Sequence, residues 1–194
     1  MDIPNPNLRL LIPKSVFNKS LIKNIFLYGI IAGSLTLIYC LVSANFGGVP
    51  LDGKKAPTIV FSLICMVLSV KAYRINNPDE TLHFWEGLVV SNLTNLVGAC
   101  VSAIGLYFWL SGSGSYVLST YIVESIKTLQ ITSVKDGYIK EMGGQSFIQL
   151  INGFKNLLPE NIAKDEITGL KGKLPLGILI SIMISLYYRR GYLN

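Results

Sequence analysis

The chain has 194 residues, 51% of them hydrophobic and only 14% charged, with a mean hydropathy of +0.49. Soluble domains carry about 25% charged residues, so this composition excludes an ordinary soluble domain and indicates a membrane protein. The formal net charge of +6 comes from Lys and Arg flanking apolar stretches rather than from a basic run, which argues for the bilayer and against nucleic acid as a partner.

Residues 1–23 read as a basic cytoplasmic tail with Arg9, Lys14, Lys19 and Lys23, and Pro4, Pro6 and Pro13 preclude one long helix there. The first span runs from Asn24 to Asn45. Val42-Ser43-Ala44 resembles a signal-cleavage site, but the apolar stretch exceeds a usual signal core, so a retained helix is expected. Gly29 and Gly33 stand in GxxxG spacing and, with Thr36 and Cys40, form a stripe of small residues suited to helix packing. Gly, Pro and Asp in Phe46 to Ala56 favour a turn. The second span, Pro57 to Ala72, has Thr58, Ser62, Cys65 and Ser69 on its small face. All three cysteines lie in apolar spans and read as small packing hydrophobes, with no disulfide framework or zinc site.

The third span, Glu86 to Leu110, is the centre of the pattern. At about 100° per residue Gly87, Ser91, Thr94, Asn95, Gly98, Ser102 and Gly105 share roughly a 100° stripe, and the rest of the surface is largely apolar. Such a stripe faces other helices in a bilayer, whereas Val97 falls on the side expected to meet lipid. Just before it, Glu80, His83 and Glu86 recur every three residues. Two carboxylates and one His are read as an interfacial polar face, and no metal or cofactor is expected.

Residues 112–173 read as an external segment. Tyr116 to Met142 has a helical pattern, interrupted by Gly143-Gly144. Phe147, Leu150, Ile151, Phe154 and Leu158 then line one face of an amphipathic helix, a candidate partner surface. Residues 174–194 supply the last span, with Gly177, Ser181 and Ser185 as its small stripe, and a short tail. The expected packing positions are thus Gly29, Gly33, Ser62, Asn95, Gly98, Ser102, Gly105, Gly177 and Ser181. The fold class is all-α: an integral membrane four-helix bundle (24–111 carrying three spans) with an amphipathic helical segment before the fourth. Lys and Arg near the span ends place both termini in the cytoplasm.

Four stretches carry a family resemblance: Tyr28-Gly29-Ile30-Ile31-Ala32-Gly33, Lys71-Ala72-Tyr73-Arg74, Phe84 to Gly87, and Leu174-Pro175-Leu176-Gly177-Ile178-Leu179-Ile180-Ser181 through Arg189-Arg190. In this order and spacing they resemble domain-of-unknown-function family 4199 of Bacteroidota. The resemblance implies four transmembrane helices in a bacterial inner membrane and transfers no catalytic residue.

Apart from Glu86 at the very start of the third, the spans contain no Asp or Glu, and no nucleophile elbow, phosphate loop or dinucleotide fingerprint occurs. The expectation is a non-catalytic accessory or scaffold subunit acting through helix packing and its external segment. Its partners would be the bilayer and another membrane or periplasmic protein, or a second copy of itself. The alternative is a small-molecule carrier or channel component with a polar path near Asn92 and Asn95, against which stands the absence of evident intramembrane charges and broken helices.

Overall fold

The computed structural model describes residues 19–51, 56–76, 83–169 and 173–189. The tail residues Arg9 and Lys14, the loop lysines Lys54 and Lys55, Glu80, Lys171, Arg190 and the short C-terminal tail lie outside them. Among the described residues all regular structure is helical: α1 (Lys19–Asn45), α2 (Ala56–Asn76), α3 (Phe84–Ser111), α4 (Ser115–Leu129), α5 (Thr132–Met142), α6 (Gly144–Lys155), α7 (Pro159–Thr168) and α8 (Lys173–Arg189). Four stretches are long and apolar enough to cross a membrane: Lys19–Asn45, Pro57–Asn76, Phe84–Ser111 and Pro159–Tyr188.

The α3 helix is the hub and touches α1, α2, α4, α7 and α8. Its start is set by Glu86, whose Oε2 accepts from the His83 backbone N–H at 3.1 Å, so Glu86 of the expected interfacial face serves as a helix cap. α1 lies parallel to α3, because Gly29 sits against Val97, Gly33 against Val101 and Gly105 against Leu37. A Cβ on Gly29 would come within 2.7 Å of Val97 Cβ, and one on Gly33 within 2.6 Å of Val101 Cβ, distances that real side chains do not reach. Val97 therefore packs on α1 rather than facing lipid as its spacing suggests, because a glycine opposite lets a bulky residue enter the interface. Large exposed hydrophobics such as Phe26, Ile38, Val60, Ile104, Phe108, Leu179 and Met183 cover the outside of the bundle.

Two apolar clusters close the ends. One gathers Leu21, Ile25, Met66, Val70, Tyr73, Val90 and Ile184; the other gathers Ala44, Val49, Leu51, Leu110, Val117, Leu118 and Ile162. The second ties the α4–α7 region to the bundle. The helical pattern of Tyr116 to Met142 is realised as two helices, with the break at Gln130 and Ile131. Between α5 and α6, Gly143 takes φ +83°, a conformation open to glycine and costly for other residues.

The apolar run read from Leu174 to Tyr188 corresponds to α8, and α7, which carries Glu160, Lys164, Asp165 and Glu166, packs along α3 ahead of it. Ile162 of α7 belongs to the cluster around Leu110, and Gly87 at the start of α3 meets Ser185 of α8. The two short helices together accompany α3 along its length, and α7 ends at Thr168 where α8 begins at Lys173. Pro159 suits the first turn of α7, since its missing N–H would have had no intrahelical partner.

Candidate functional site at the break in the fourth span

Where α7 gives way to α8, four helices converge on an ammonium group. Lys173 Nζ donates to Thr36 Oγ1 of α1 at 2.9 Å and to Ser102 Oγ of α3 at 3.0 Å, and pairs with Glu166 Oε1 of α7 at 3.1 Å. These three acceptors match the three protons an ammonium carries. Both charged side chains are only 5% exposed. Ser102 Oγ also lies 3.0 Å from Glu166 Oε1, so one hydroxyl bridges the two charges. From the other side Asn95 Nδ2 donates to the Lys173 backbone carbonyl at 2.7 Å. This bond ties the first turn of α8 to α3. Asn95 and Ser102 lie on either side of the middle of α3, so the pair sits near mid-depth of the bundle.

Local sequence explains how the groups meet. Ile162 and Glu166 are one helical turn apart on the same face of α7, so burying Ile162 against α3 carries Glu166 inward as well. Gly177, one turn into α8, faces Asn95 so closely that an added Cβ would overlap the amide. That close approach is what places Lys173 within reach of Thr36 and Ser102.

Beside the pair is a cavity of about 10 Å³ lined in part by Ser62, Met66, Asn95, Lys173 and Gly177. Its volume is at the lower limit for one water. Ser62 Oγ is buried there with no hydrogen-bond partner among the described residues. Further along α3, Asn92 Nδ2 donates to Ser181 Oγ of α8 at 2.7 Å and to the Leu88 carbonyl at 2.9 Å, and Thr94 Oγ1 lies 2.8 Å from Ser69 Oγ of α2.

Of the residues singled out by sequence, Ser62, Asn95, Ser102 and Gly177 meet at or beside this site. Gly29, Gly33, Gly98 and Gly105 line the α1–α3 contact, and Ser181 lies on α8 facing Asn92. The five residues proposed as a partner surface are placed elsewhere. Phe147 is buried and stacks at 6.5 Å from Tyr138, Phe154 meets Tyr121 edge-on at 6.3 Å, Leu150 and Ile151 are half-buried, and Leu158 is exposed.

Sequence reasoning missed Glu166 and Lys173, which the fold brings together as a buried pair at the end of α7 and the start of α8. The signal available in the sequence was Gly169, a helix-ending residue just ahead of the apolar run that starts at Leu174. The polar run Lys164-Asp165-Glu166 disguised it as a solvated loop.

Over residues 27–190 the chain matches the family described as a protein of unknown function (DUF4199), and it belongs to that family. No curated protein and no solved structure matches it.

Proposed function

We propose that this member of a family of unknown function is a component of a membrane carrier or channel, and that the junction of α7 and α8 is its working part. The observation that carries this reading is the Lys173–Glu166 pair, 5% exposed and placed at a break in the fourth span. A buried ion pair is often no more stabilising than apolar residues of the same volume. A bundle already packed through glycine and serine has no evident need of one for stability alone. Intramembrane charges characteristically mark pathways and relays, and discontinuous helices with ends at mid-depth are a recurrent way to build a site there. The proposal assigns no catalytic chemistry. It keeps the bacterial inner membrane, with both termini in the cytoplasm and α4 to α6 outside.

A second reading, the accessory or scaffold subunit, is favoured by one observation: every proton of the Lys173 ammonium has an acceptor, as in a closed structural clasp. Its partner would be another membrane or periplasmic protein, or a second copy of the chain.

Accessibility separates the two. In a cysteine-free background, Ala99→Cys places a thiol at a fully buried position one turn from both Asn95 and Ser102. A working junction exposes this thiol to a water-soluble methanethiosulfonate reagent in native membranes. Complete protection, with Ser115→Cys labelled in the same membranes, would leave the scaffold reading in place.

A further inference from the structure

The outer face of α7 carries a polar stripe at a level where the neighbouring helices are apolar. Ile162 and Glu166 are buried against the bundle, while Glu160, Asn161, Lys164, Asp165 and Thr168 are exposed. At about 100° per residue, Asn161 and Thr168 fall on one line directed away from the bundle, with Lys164 on one flank of that line and Asp165 on the other.

The depth of the stripe follows from the contacts of α7. Glu166 meets Ser102, and Ile162 belongs to the cluster around Leu110, so α7 runs antiparallel to α3. Lys164 therefore lies about level with Ile104, ~3 Å beyond Ser102 at ~1.5 Å per residue. On α1, Leu37 sits against Gly105, which brings Ile38 to nearly the same level. Ile104 and Phe108 of α3 and Ile38 and Leu41 of α1 are all exposed and apolar, as suits hydrocarbon. Charged side chains at membrane depth face other protein or enclosed water and pair there, because lipid offers them nothing. Lys164 and Asp165 make no ion pair among the described residues, and α7 packs on α3 and α8 through its other face.

We infer that a second copy of this chain covers the stripe, with α7 against α7 about a two-fold axis along the membrane normal. A two-fold that keeps both copies in one membrane orientation runs along the normal, so the two α7 helices lie side by side and parallel. Rotation by 180° then brings Lys164 of each copy against Asp165 of the other, once on each flank. Asn161 and Thr168 face their own counterparts across the axis, the place where a polar residue fixes the register of paired helices. The stripe is its own complement: its opposite charges are adjacent in sequence and stand on opposite flanks, so one operation pairs both. The inference goes beyond the reading of the junction and does not depend on it, since the Glu166–Lys173 pair lies on the other side of α7.

The test uses the full chain in a cysteine-free background, reconstituted in liposomes at low density. Thr168→Cys should form a disulfide-linked dimer on oxidation with copper phenanthroline, whereas Ile38→Cys, exposed on α1 at a similar depth, should not. Lys164→Asp in the Thr168→Cys chain sets like charges against each other on both flanks and should lower the linked fraction at least about tenfold. Adding Asp165→Lys to the same chain exchanges the two charges and should restore the dimer. Adjacent residues on a helix do not face each other, so that rescue cannot arise within one copy. The chain without these substitutions gives an independent measurement: carrying one fluorophore at its N-terminus, it should bleach in two steps in the same liposomes. Equal linkage of the two cysteines, a double reversal as impaired as Lys164→Asp alone, or single-step bleaching would each overturn the inference.

Discussion

Replacing Lys173 by Met removes the cation and leaves the Glu166 carboxylate buried in the bundle. Three short contacts disappear, at 2.9, 3.0 and 3.1 Å. Breaking a buried pair from one side typically costs about 3–5 kcal/mol, because the remaining charge keeps its desolvation cost without its counter-ion. The double variant Lys173→Met/Glu166→Met behaves differently. Both charges leave together, and the two hydroxyls are not orphaned: Thr36 Oγ1 has the Ala32 carbonyl at 3.0 Å and Ser102 Oγ the Ala99 carbonyl at 3.1 Å. The double variant should therefore recover most of the loss, and its stability should fall near or above that of the unmodified chain. The cycle of four proteins is read by SDS-driven unfolding in mixed micelles, with a coupling energy of at least about 3 kcal/mol expected. If Lys173→Met costs no more than an exposed ion pair, about 0–1 kcal/mol, the pair is solvated and α7 does not belong to the span.

Gly177→Ala should destabilise the bundle by about 1–3 kcal/mol, since its Cβ would overlap the Asn95 amide, whereas Gly137→Ala in α5, with open space around it, should be neutral or stabilising by a few tenths of a kcal/mol. Detergent melting temperatures check the contrast, and equal effects would refute the close approach. Gly98→Leu meets Ala32 Cβ and the Gly29 carbonyl at 3.2 Å and should lower the melting temperature well beyond Ile104→Val, whose side chain is exposed. Ser181→Ala, which removes the interhelical one of the two acceptors of Asn92 Nδ2, should cost only about 0.6 kcal/mol, a typical value for interhelical hydrogen bonds in membranes. In a cysteine-free background, Ser115→Cys and Lys135→Cys should react with impermeant maleimide on intact spheroplasts; reaction only after membrane rupture would reverse the orientation.

Much of the architecture could be read directly from residue order. Helical periodicity and apolar length locate the four spans, because a ~30 Å hydrocarbon layer demands about 20 apolar residues whatever their neighbours. The small residues of α3 mark its packing side because only small groups allow backbones to approach, and Gly98 and Ser102 indeed point at other helices. The α7–α8 junction was not legible in this way. Glu166 ends the polar run Lys164-Asp165-Glu166, which reads as a loop, and Glu166 and Lys173 are each by themselves residues that belong in water. What allows them to be buried is the surface opposite them, where Ser102 of α3 and Thr36 of α1 supply hydrogen-bond partners. Likewise Val97 looks lipid-facing until Gly29 of another helix makes room for it. Apolar length is a property of one segment, so sequence determines the spans. Compensation of a buried charge is shared among segments distant in the chain, so only the tertiary structure decides where the site lies.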